Sequence, residues 1–283
     1  MSKFGIICGG ALTALLSCGA AMAETPATFG KCVTTGEAGS IQITTREPDT
    51  LIVGTVLPNP GWWNGFTPEK IEDGFEYCIA AEIAHRAGVH NLKVMNMAWD
   101  QYISGAGADY DIALASTTIT EPRKQVFDFS QPYFSSNLGV AIKTGADVTA
   151  ENIRSKRIGV LQGNMGADWV TSTLLPESGA LLFQTQADML TALMADQLDA
   201  VITDTTLVLT ATFPTNGVLS VVAQYSLDQG YGVVTPKDSP NSAAVDKAIG
   251  EITANGSLAN LAETYLAPLF GTSPTAVPMW ELK

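Results

Sequence analysis

The sequence predicts an α/β protein of two similar lobes, each a mainly parallel sheet flanked by helices. β-rich segments alternate with helical segments in both halves of the 283 residues, an order typical of parallel sheets covered on both faces. Residues 110–114 and 198–202 occupy the same place in each half. Two apolar segments, Leu138–Lys143 and residues 231–235, provide crossings between the lobes. Two crossings imply a second lobe inserted in a discontinuous first lobe, with two hinge strands.

Short β-rich runs bounded by turn-forming residues predict the strands, and amphipathic runs predict the helices. The expected strands cover residues 51–55, 92–97, 110–114, 157–161, 181–184 and 198–202; the expected helices cover residues 75–87, 167–175, 187–196, 242–254 and 257–266, with a short one from about Asp100. Before the first strand, residues 32–35 and 41–45 flank a turn bounded by glycines. This pattern predicts a small hairpin.

The expected domain organisation follows from the two crossings. A signal peptide comes first, and two segments of the first lobe then enclose the second lobe. The boundaries are residues 1–23 for the signal peptide, residues 24–139 with 231–283 for the first lobe, and residues 140–230 for the second.

The first 23 residues have the pattern of an export signal. Lys3 precedes an apolar run, and small residues at Ala21 and Ala23 provide a cleavage site before Glu24. The apolar run is shorter than the ~20 residues that span a bilayer. We therefore expect a periplasmic protein, with lipid attachment at Cys18 as the alternative.

Composition and charge exclude several classes of function. With 46% hydrophobic residues and a mean hydropathy of +0.17, the chain is too apolar to be disordered. Lys and Arg number 15 against 28 Asp and Glu, and this excess of negative charge argues against nucleic-acid binding, which needs a basic face. The sequence contains neither a dinucleotide-binding nor a nucleoside-triphosphate-binding glycine motif, so no cofactor is expected.

Two cysteines, Cys32 and Cys78, remain after the leader is removed. In an oxidising compartment they suggest a single disulfide, and two separate buried thiols are the alternative. His85 and His90 do not lie at a metal-ligand spacing from either cysteine. No metal site is therefore expected.

Residues 116–123, with the sequence Ser-Thr-Thr-Ile-Thr-Glu-Pro-Arg, begin where a predicted strand ends. Thr120 is a suitable N-cap for a helix, with Glu121 and Pro122 in its first turn, where both residue types are favoured. Arg123 then follows one turn into the helix.

Arg123 is a candidate receptor for a carboxylate. Its guanidinium group would lie near the hydroxyl groups of Ser116 and Thr118, and such a fork binds a carboxylate in bidentate geometry. The alternative is a surface ion pair of Arg123 with Glu121 or Asp128.

The second half offers a candidate anion site and a candidate cation site. Gly163, Asn164, Met165 and Gly166 join a strand to a helix, and free backbone N–H groups at such a helix start can bind an anion. An ordinary strand-to-helix turn is the alternative. Asp204 ends a strand and can accept an ammonium group, with a helix N-cap as the alternative.

Four aromatic residues, Trp62, Trp63, Phe66 and Trp99, lie in loops at the strand-end side of the first half. Because the indole N–H needs a hydrogen-bond partner when it is buried, a Trp-Trp pair in a Pro/Gly-rich loop is poorly explained as core. Stacking on a ligand, or a cation–π wall, explains the pair better. Anchoring of the loop in the core is the alternative.

Residues 118–130, Thr-Ile-Thr-Glu-Pro-Arg-Lys-Gln-Val-Phe-Asp-Phe-Ser, followed by Gln-Pro-Tyr-Phe, closely resemble the signature of the polar-amino-acid family of periplasmic substrate-binding proteins of ABC transporters. Other motifs similar to those of the family occur in order at residues 74–81, 98–100, 158–163, 198–204 and 255–265. The resemblance covers about residues 50–270. It implies a type II periplasmic-binding-protein fold, in which two lobes are joined by a hinge.

The resemblance also implies roles for individual residues. Arg123, helped by Ser116 and Thr118, would bind the α-carboxylate of an amino acid, and Asp204 would bind its α-ammonium group. The backbone around residue 165 would complete the carboxylate contact, while indole rings would cover the faces of the ligand. The implied ligand-binding set is Arg123, Ser116, Thr118, Asp204, Trp62, Trp63, Trp99, Gly163, Asn164 and Met165.

This sequence departs from the family pattern in two places. Met165 stands where many members have a threonine, so that contact would be made by the backbone alone. The loop at residues 58–73 is longer than usual and contains the Trp-Trp pair. If the tryptophans form a box, a basic amino acid or a methylated amine is the favoured ligand.

The mechanism implied is capture by closure. A zwitterion that gains hydrogen bonds from both lobes shifts the population to the closed state, which a membrane permease would recognise, and the carrier is expected to be a monomer. A dehydratase-like enzyme on the same fold would need a general acid, and Glu121 is the only carboxylate in residues 116–123. A soluble ligand-sensing domain is the other alternative.

Overall fold

The structure is a computed structural model that describes residue 1, residues 29–227 and residues 229–282. Beyond Met1, the expected signal peptide and Cys18 lie outside the described residues.

The elements before the first crossing are β1 (Thr50–Thr55), α1 (Phe75–Arg86), β2 (Asn91–Asn96), α2 (Trp99–Ile103), β3 (Ile112–Ala113), α3 (Glu121–Lys124) and β4 (Phe127–Ser135). Those between the crossings are β5 (Leu138–Lys143), β6 (Ile158–Leu161), α4 (Met165–Trp169), β7 (Ala180–Phe183), α5 (Gln186–Met194), β8 (Ala200–Asp204), α6 (Thr205–Thr212) and β9 (Leu219–Tyr225). Those that follow are β10 (Gly230–Pro236), α7 (Ser242–Ala254), α8 (Ser257–Tyr265) and α9 (Ala267–Phe270). A π-helical turn (Val170–Leu174) continues α4, and 3₁₀ turns cover Pro68–Lys70, Ile153–Ser155, Phe213–Thr215 and Pro274–Ala276.

The strands form two five-stranded sheets of the same design. In the first, β1 pairs in parallel with β2 and β3, and β10 pairs antiparallel with β3 and β4. In the second, β6 pairs in parallel with β7 and β8, and β5 pairs antiparallel with β8 and β9. We call each sheet with its helices the first and the second lobe. The predicted two-lobed α/β fold is confirmed, with mixed sheets in which a single strand runs against the rest.

Each lobe has its own apolar core because the central strands are covered by helices. Leu51 and Val53 of β1 are fully buried, and so are Ile158 and Val160 of β6. Burial of such a side chain contributes about 1.5–3 kcal/mol. These strands are therefore held firmly in their cores.

The N-terminal arm is fixed to α1. The expected disulfide between Cys32 and Cys78 is present, with a Cα–Cα distance of 5.4 Å. The expected hairpin is wrong, since residues 29–49 contain no strand. Their N–H groups bind the end of α1 instead: Gly39 donates to the carbonyl of residue 85 and Ile41 to that of residue 86.

Two passages between the lobes connect strands of the two sheets. The first passage lies between Ser135, at the end of β4, and Leu138, at the start of β5. The second lies between Tyr225, at the end of β9, and Gly230, at the start of β10. Both passages are a few residues long.

The C-terminal tail returns to the second lobe. The N–H of Gln224 in β9 donates to the carbonyl of Pro278 (2.8 Å), and the ring of Trp280 lies 6.1 Å from that of Tyr225. The expected division assigned this tail to the first lobe. The structure places it against β9 because the Gln224 side chain also donates to carbonyls of the tail.

β4, β9 and α6 were not among the expected elements. β4 contains Pro132, which cannot donate to a ladder and usually argues against a strand. The pairing with β10 is irregular at that point, where Pro132 lies opposite Gly232. In the described part of the chain, the helices are all too short or too polar to cross a membrane.

Candidate functional site

Polar loops from both lobes meet where the parallel strands end. The loop after β3 belongs to the first lobe, while the loop after β6 and the end of β8 belong to the second. Ligands bind at the carboxyl ends of strands in such sheets. The residues that the sequence singled out are concentrated in these loops.

Arg123 is positioned by the start of α3. Thr120 is the N-cap of this helix and accepts a hydrogen bond from the N–H of Arg123 (3.3 Å), as expected. The side chain turns back into the protein, where Nη1 donates to the carbonyl of Thr118 and Nη2 to that of Gly163, each at 2.9 Å. Arg123 therefore joins the two lobes.

The guanidinium group of Arg123 is buried, and among the described residues it has no carboxylate partner. Burial lowers its pKa. The alternative surface pairs do not form, because Glu121 binds Lys124 (2.7 Å) and Asp128 binds Lys237 (2.8 Å). A buried cation without a counter-ion is unfavourable, and an anionic ligand can supply one.

Asp204 lies at the end of β8 and is 1% exposed. Its side chain does not cap α6; one oxygen accepts from Nδ2 of Asn164 (3.0 Å) and the other from Nε2 of Gln229 (2.7 Å). Gln229 in turn accepts from the hydroxyl of Thr118 (2.9 Å). Burial, together with the charge of Asp204, raises the pKa of Tyr231 well above its usual range. In this arrangement Asp204 is part of a hydrogen-bonded chain between the lobes.

The loop before α4 is built as the sequence predicts. Gly163 has φ +72°, a conformation that favours glycine, and the Asn164 side chain caps α4 by accepting from the N–H of Gly166 (2.7 Å). Met165 is the first residue of the helix and is half-buried. This loop also carries the carbonyl of Gly163 that accepts from Arg123 of the first lobe.

Ser116 is held by a carboxylate that the sequence analysis did not single out. Glu76, in the first turn of α1, accepts from the N–H and the hydroxyl of Ser116 (2.7 and 3.1 Å), and Ser116 has φ +49°. Glu76 also accepts from Nε1 of Trp63 (2.7 Å) and the hydroxyl of Tyr133 (2.5 Å). Burial outweighs these bonds and raises the pKa of Glu76. The hydroxyl of Ser116 is thus bonded to Glu76, while the guanidinium of Arg123 bonds to two carbonyl groups.

Trp62 and Trp63 do not line the cleft, and the expectation that they cover a ligand is wrong. Both are fully buried in the core of the first lobe. The loop folds back on α1, and the ring of Trp62 packs edge-on against Phe75 and Phe134 (5.4 and 5.1 Å). The side chain of Phe66, further along the loop, is exposed.

Trp99 does lie at the cleft, as predicted. Its Nε1 donates to the carbonyl of Gln162 in the second lobe (2.9 Å), and Cζ of Arg123 lies 5.7 Å from its ring centre. The indole therefore contacts both lobes and the buried cation.

A cavity of ≈ 750 Å³ lies between the lobes beside these residues. Trp99, Ser116 and Asn164 are among the residues that line it. Arg123 contacts Trp99, and Asp204 contacts Asn164. Both charged groups are therefore in direct contact with residues that line the cavity. A cavity of this size is typical of small-molecule sites.

Two residues of the site were missed by sequence reasoning. Gln229 follows the second lobe just before β10, and its role depends on side chains far away in the chain. Glu76 lies in the motif at the start of α1, where the helix dipole favours an acid, and that position was the only local signal. No cluster of metal-binding side chains occurs within the described ranges.

Comparison with known proteins identifies the family. Residues 51–268 match the bacterial extracellular solute-binding proteins, family 3. The chain belongs to this family. The L-cystine-binding protein TcyJ of Escherichia coli K12 is 26% identical over 226 residues, which cover 78% of this chain and 84% of TcyJ.

A solved structure of an ancestral arginine-binding protein bound to arginine has the same fold. The two share 26% identity with a TM-score of 0.68, over 77% of this solute-binding protein and 99% of the ancestral one. One relative is an enzyme: the membrane-bound lytic murein transglycosylase F of Idiomarina loihiensis is 26% identical over 230 residues, but these cover only 50% of that protein. The family and the other two proteins are binding proteins.

Proposed function

We propose that this protein is the substrate-binding component of an ABC importer, which captures an amino acid between its lobes and delivers it to a membrane permease. The observation that carries the proposal is the buried guanidinium of Arg123, which lacks a carboxylate partner in the described part of the chain and bonds to both lobes. The cystine- and arginine-binding relatives support an amino-acid ligand.

In the proposed complex, the two charged ends of the amino acid displace protein groups that bond to Arg123 and to Asp204 in the structure. The α-carboxylate takes the place of the Gly163 carbonyl at Arg123, with charge-assisted hydrogen bonds. The α-ammonium group takes the place of an amide, from Asn164 or Gln229, at Asp204. Because Arg123 and Asp204 belong to different lobes, the ligand favours the closed state.

The setting proposed for the protein follows from the same role. Residues 1–23 are removed on export, and the mature monomer works in the periplasm. The lobes divide near residues 139/140 and 230/231, and the two passages between them act as the hinge. We propose a carrier and not an enzyme, because the family and the cystine- and arginine-binding relatives are binding proteins, and because Glu121, 82% exposed and paired with Lys124, lies on the surface.

The first test is a thermal-shift screen of the twenty standard amino acids and L-cystine, on protein refolded from denaturant to remove any bound ligand. A ligand at 100 times its dissociation constant stabilises the folded state by ~2.7 kcal/mol. We expect at least one of these compounds to raise the melting temperature. If none does, the proposed function is wrong.

The second step asks whether Arg123 binds the ligand found in that screen. Arg123→Ala removes one partner of a buried charge pair and is expected to weaken binding at least about 100-fold in calorimetry. Arg157→Ala is the control, because Arg157 pairs with Asp199 on the surface (2.7 Å). Equal affinity of the wild type and Arg123→Ala would contradict the proposed carboxylate contact.

A further inference from the structure

The cavity between the lobes has two walls. Val56, Leu57, Pro58, Pro60 and Met97 belong to the first lobe and come from the loop after β1 and the end of β2. Leu161, Leu190, Leu207, Ala211 and Pro214 belong to the second. Ten apolar residues therefore face a space of ≈ 750 Å³, and most of the cavity surface is hydrocarbon.

Charged groups are nearly excluded from this lining. Among the described residues that line the cavity, Asp100 is the only ionisable one, and it is exposed. The other polar lining groups are amides and hydroxyls, as in Asn59 and Thr185. A charged ligand side chain placed against the apolar walls would lose its hydration without gaining a buried counter-ion, because Asp100 is exposed, and this loss is strongly unfavourable.

Trp99 adds a reason against a cationic ligand. Arg123 already lies over this ring, with Cζ 5.7 Å from its centre. A second cation stacked on the same ring would be close to the first, and like charges repel. The box of tryptophans that would favour a basic ligand does not form, because Trp62 and Trp63 are buried in the core.

We infer that the ligand side chain is uncharged and bulky, with a largely apolar surface, as in an aliphatic or aromatic amino acid. This inference rests on the proposed function, in which Arg123 and Asp204 bind the two charged ends. The apolar walls then select the side chain, and Leu190 and Leu207 of the second lobe are specificity-determining residues. Each methylene group that enters such a cavity adds to the affinity by burial of apolar surface.

The test is a calorimetric comparison of leucine, phenylalanine and tryptophan with lysine, arginine, glutamate and serine. We expect an apolar amino acid to bind at least about 100-fold more tightly than any charged one, given the unfavourable burial of an unpaired charge. If a charged or small polar amino acid binds most tightly, and Arg123→Ala abolishes its binding, this inference fails while the proposed function stands. If none of the twenty standard amino acids or L-cystine binds in the thermal-shift screen, the proposed function itself fails.

A substitution in the wall provides the second measurement. Leu190→Asp places a carboxylate in the cavity and is expected to weaken binding of the apolar ligand at least about 10-fold, while it improves the relative affinity for lysine. Met194→Asp is the matched control: it lies one turn further along α5, is exposed, and is not part of the lining. Equal effects of the two variants on ligand affinity, or unchanged selectivity in Leu190→Asp, would overturn the assignment of this wall.

Discussion

Trp63 and Trp99 look alike in the sequence but lie in different environments. Both follow a strand of the first lobe, Trp63 in the loop after β1 and Trp99 at the start of α2, and the N–H of each donates a hydrogen bond. Trp63 is fully buried and donates to Glu76 in its own lobe (2.7 Å). Trp99 is half-buried and donates to the carbonyl of Gln162 in the other lobe (2.9 Å). One ring belongs to the core and the other to the cleft.

The location of the acceptor explains this difference. The loop at residues 58–73 folds back on α1, where Glu76 provides a carboxylate inside the core. A tryptophan can be buried without penalty when its indole N–H has a hydrogen-bond partner. Because Glu76 is this partner for Trp63, the need for a polar partner is no reason to place the Trp-Trp pair against a ligand. Trp99 starts α2 at the edge of the cleft, where the acceptor of its N–H belongs to the second lobe. The aromatic residue type is therefore a weaker guide to function than the partner of its N–H.

The largest effect is expected for Trp63→Ala. Removal of a fully buried tryptophan leaves a cavity and takes one hydrogen bond from Glu76, and it is expected to lower the free energy of unfolding by about 3–5 kcal/mol. Trp99→Ala should lower it by less than half as much, because its ring is partly exposed at the cleft. Urea unfolding of both variants tests this, and similar losses would contradict the division between core and cleft.

The neighbouring tryptophan provides a milder control should Trp63→Ala fail to fold. Trp62 and Trp63 are both fully buried, but in the described part of the chain Nε1 of Trp62 has no hydrogen-bond partner. Trp63→Phe therefore loses a bond to a carboxylate that Trp62→Phe does not lose. Hydrogen bonds to charged groups contribute about 1.5–3 kcal/mol, and Trp63→Phe should be less stable than Trp62→Phe by about that amount.

Glu76→Gln is expected to change how stability depends on pH. Burial raises the pKa of Glu76 above its ordinary value of 4.5, so the native state holds this proton in a pH range where the unfolded chain has lost it. Wild-type stability that derives from this group is then present below pH 4.5 and declines as the pH rises toward the raised value. The free energy of unfolding of the wild type minus that of the variant should therefore decrease with rising pH.

Urea unfolding of both proteins between about pH 4 and 8 measures this difference. Glu121→Gln is the control, because Glu121 is exposed on the surface next to Lys124. If the difference between wild type and Glu76→Gln grows as the pH rises, the pKa of Glu76 is lowered in the folded protein and the account of its burial is wrong.

Local signals in the sequence were sufficient for much of the fold and part of the site. The predicted helix at residues 242–254 has the observed bounds, since its apolar face and its ends are encoded within it. The N-cap of α3 at Thr120 was predicted for the same reason, because capping depends on neighbouring residues. The place of Arg123 in α3 follows directly from the position of that N-cap.

Contacts between distant residues were not predictable in this way. The bond from Thr118 to Gln229 joins residues 111 positions apart, and nothing in the local sequence of either indicates the other. The same holds for the tail on β9 and for Trp63 with its acceptor. The sequence therefore indicated which loops meet. It did not indicate which polar groups of those loops form hydrogen bonds with one another.

The smallest effect is expected for Trp99→Phe, which keeps the ring and removes the N–H that bonds to the second lobe. One neutral hydrogen bond contributes about 0.5–1.5 kcal/mol, so affinity for the ligand found in the screen should fall about 10-fold or less. Stability without ligand should change little. Trp280→Phe is the control, since Trp280 packs in the tail against Tyr225, within the second lobe. If Trp99→Phe lowers stability as much as Trp63→Phe and leaves affinity unchanged, Trp99 is also a core residue and the contrast between the two rings does not hold.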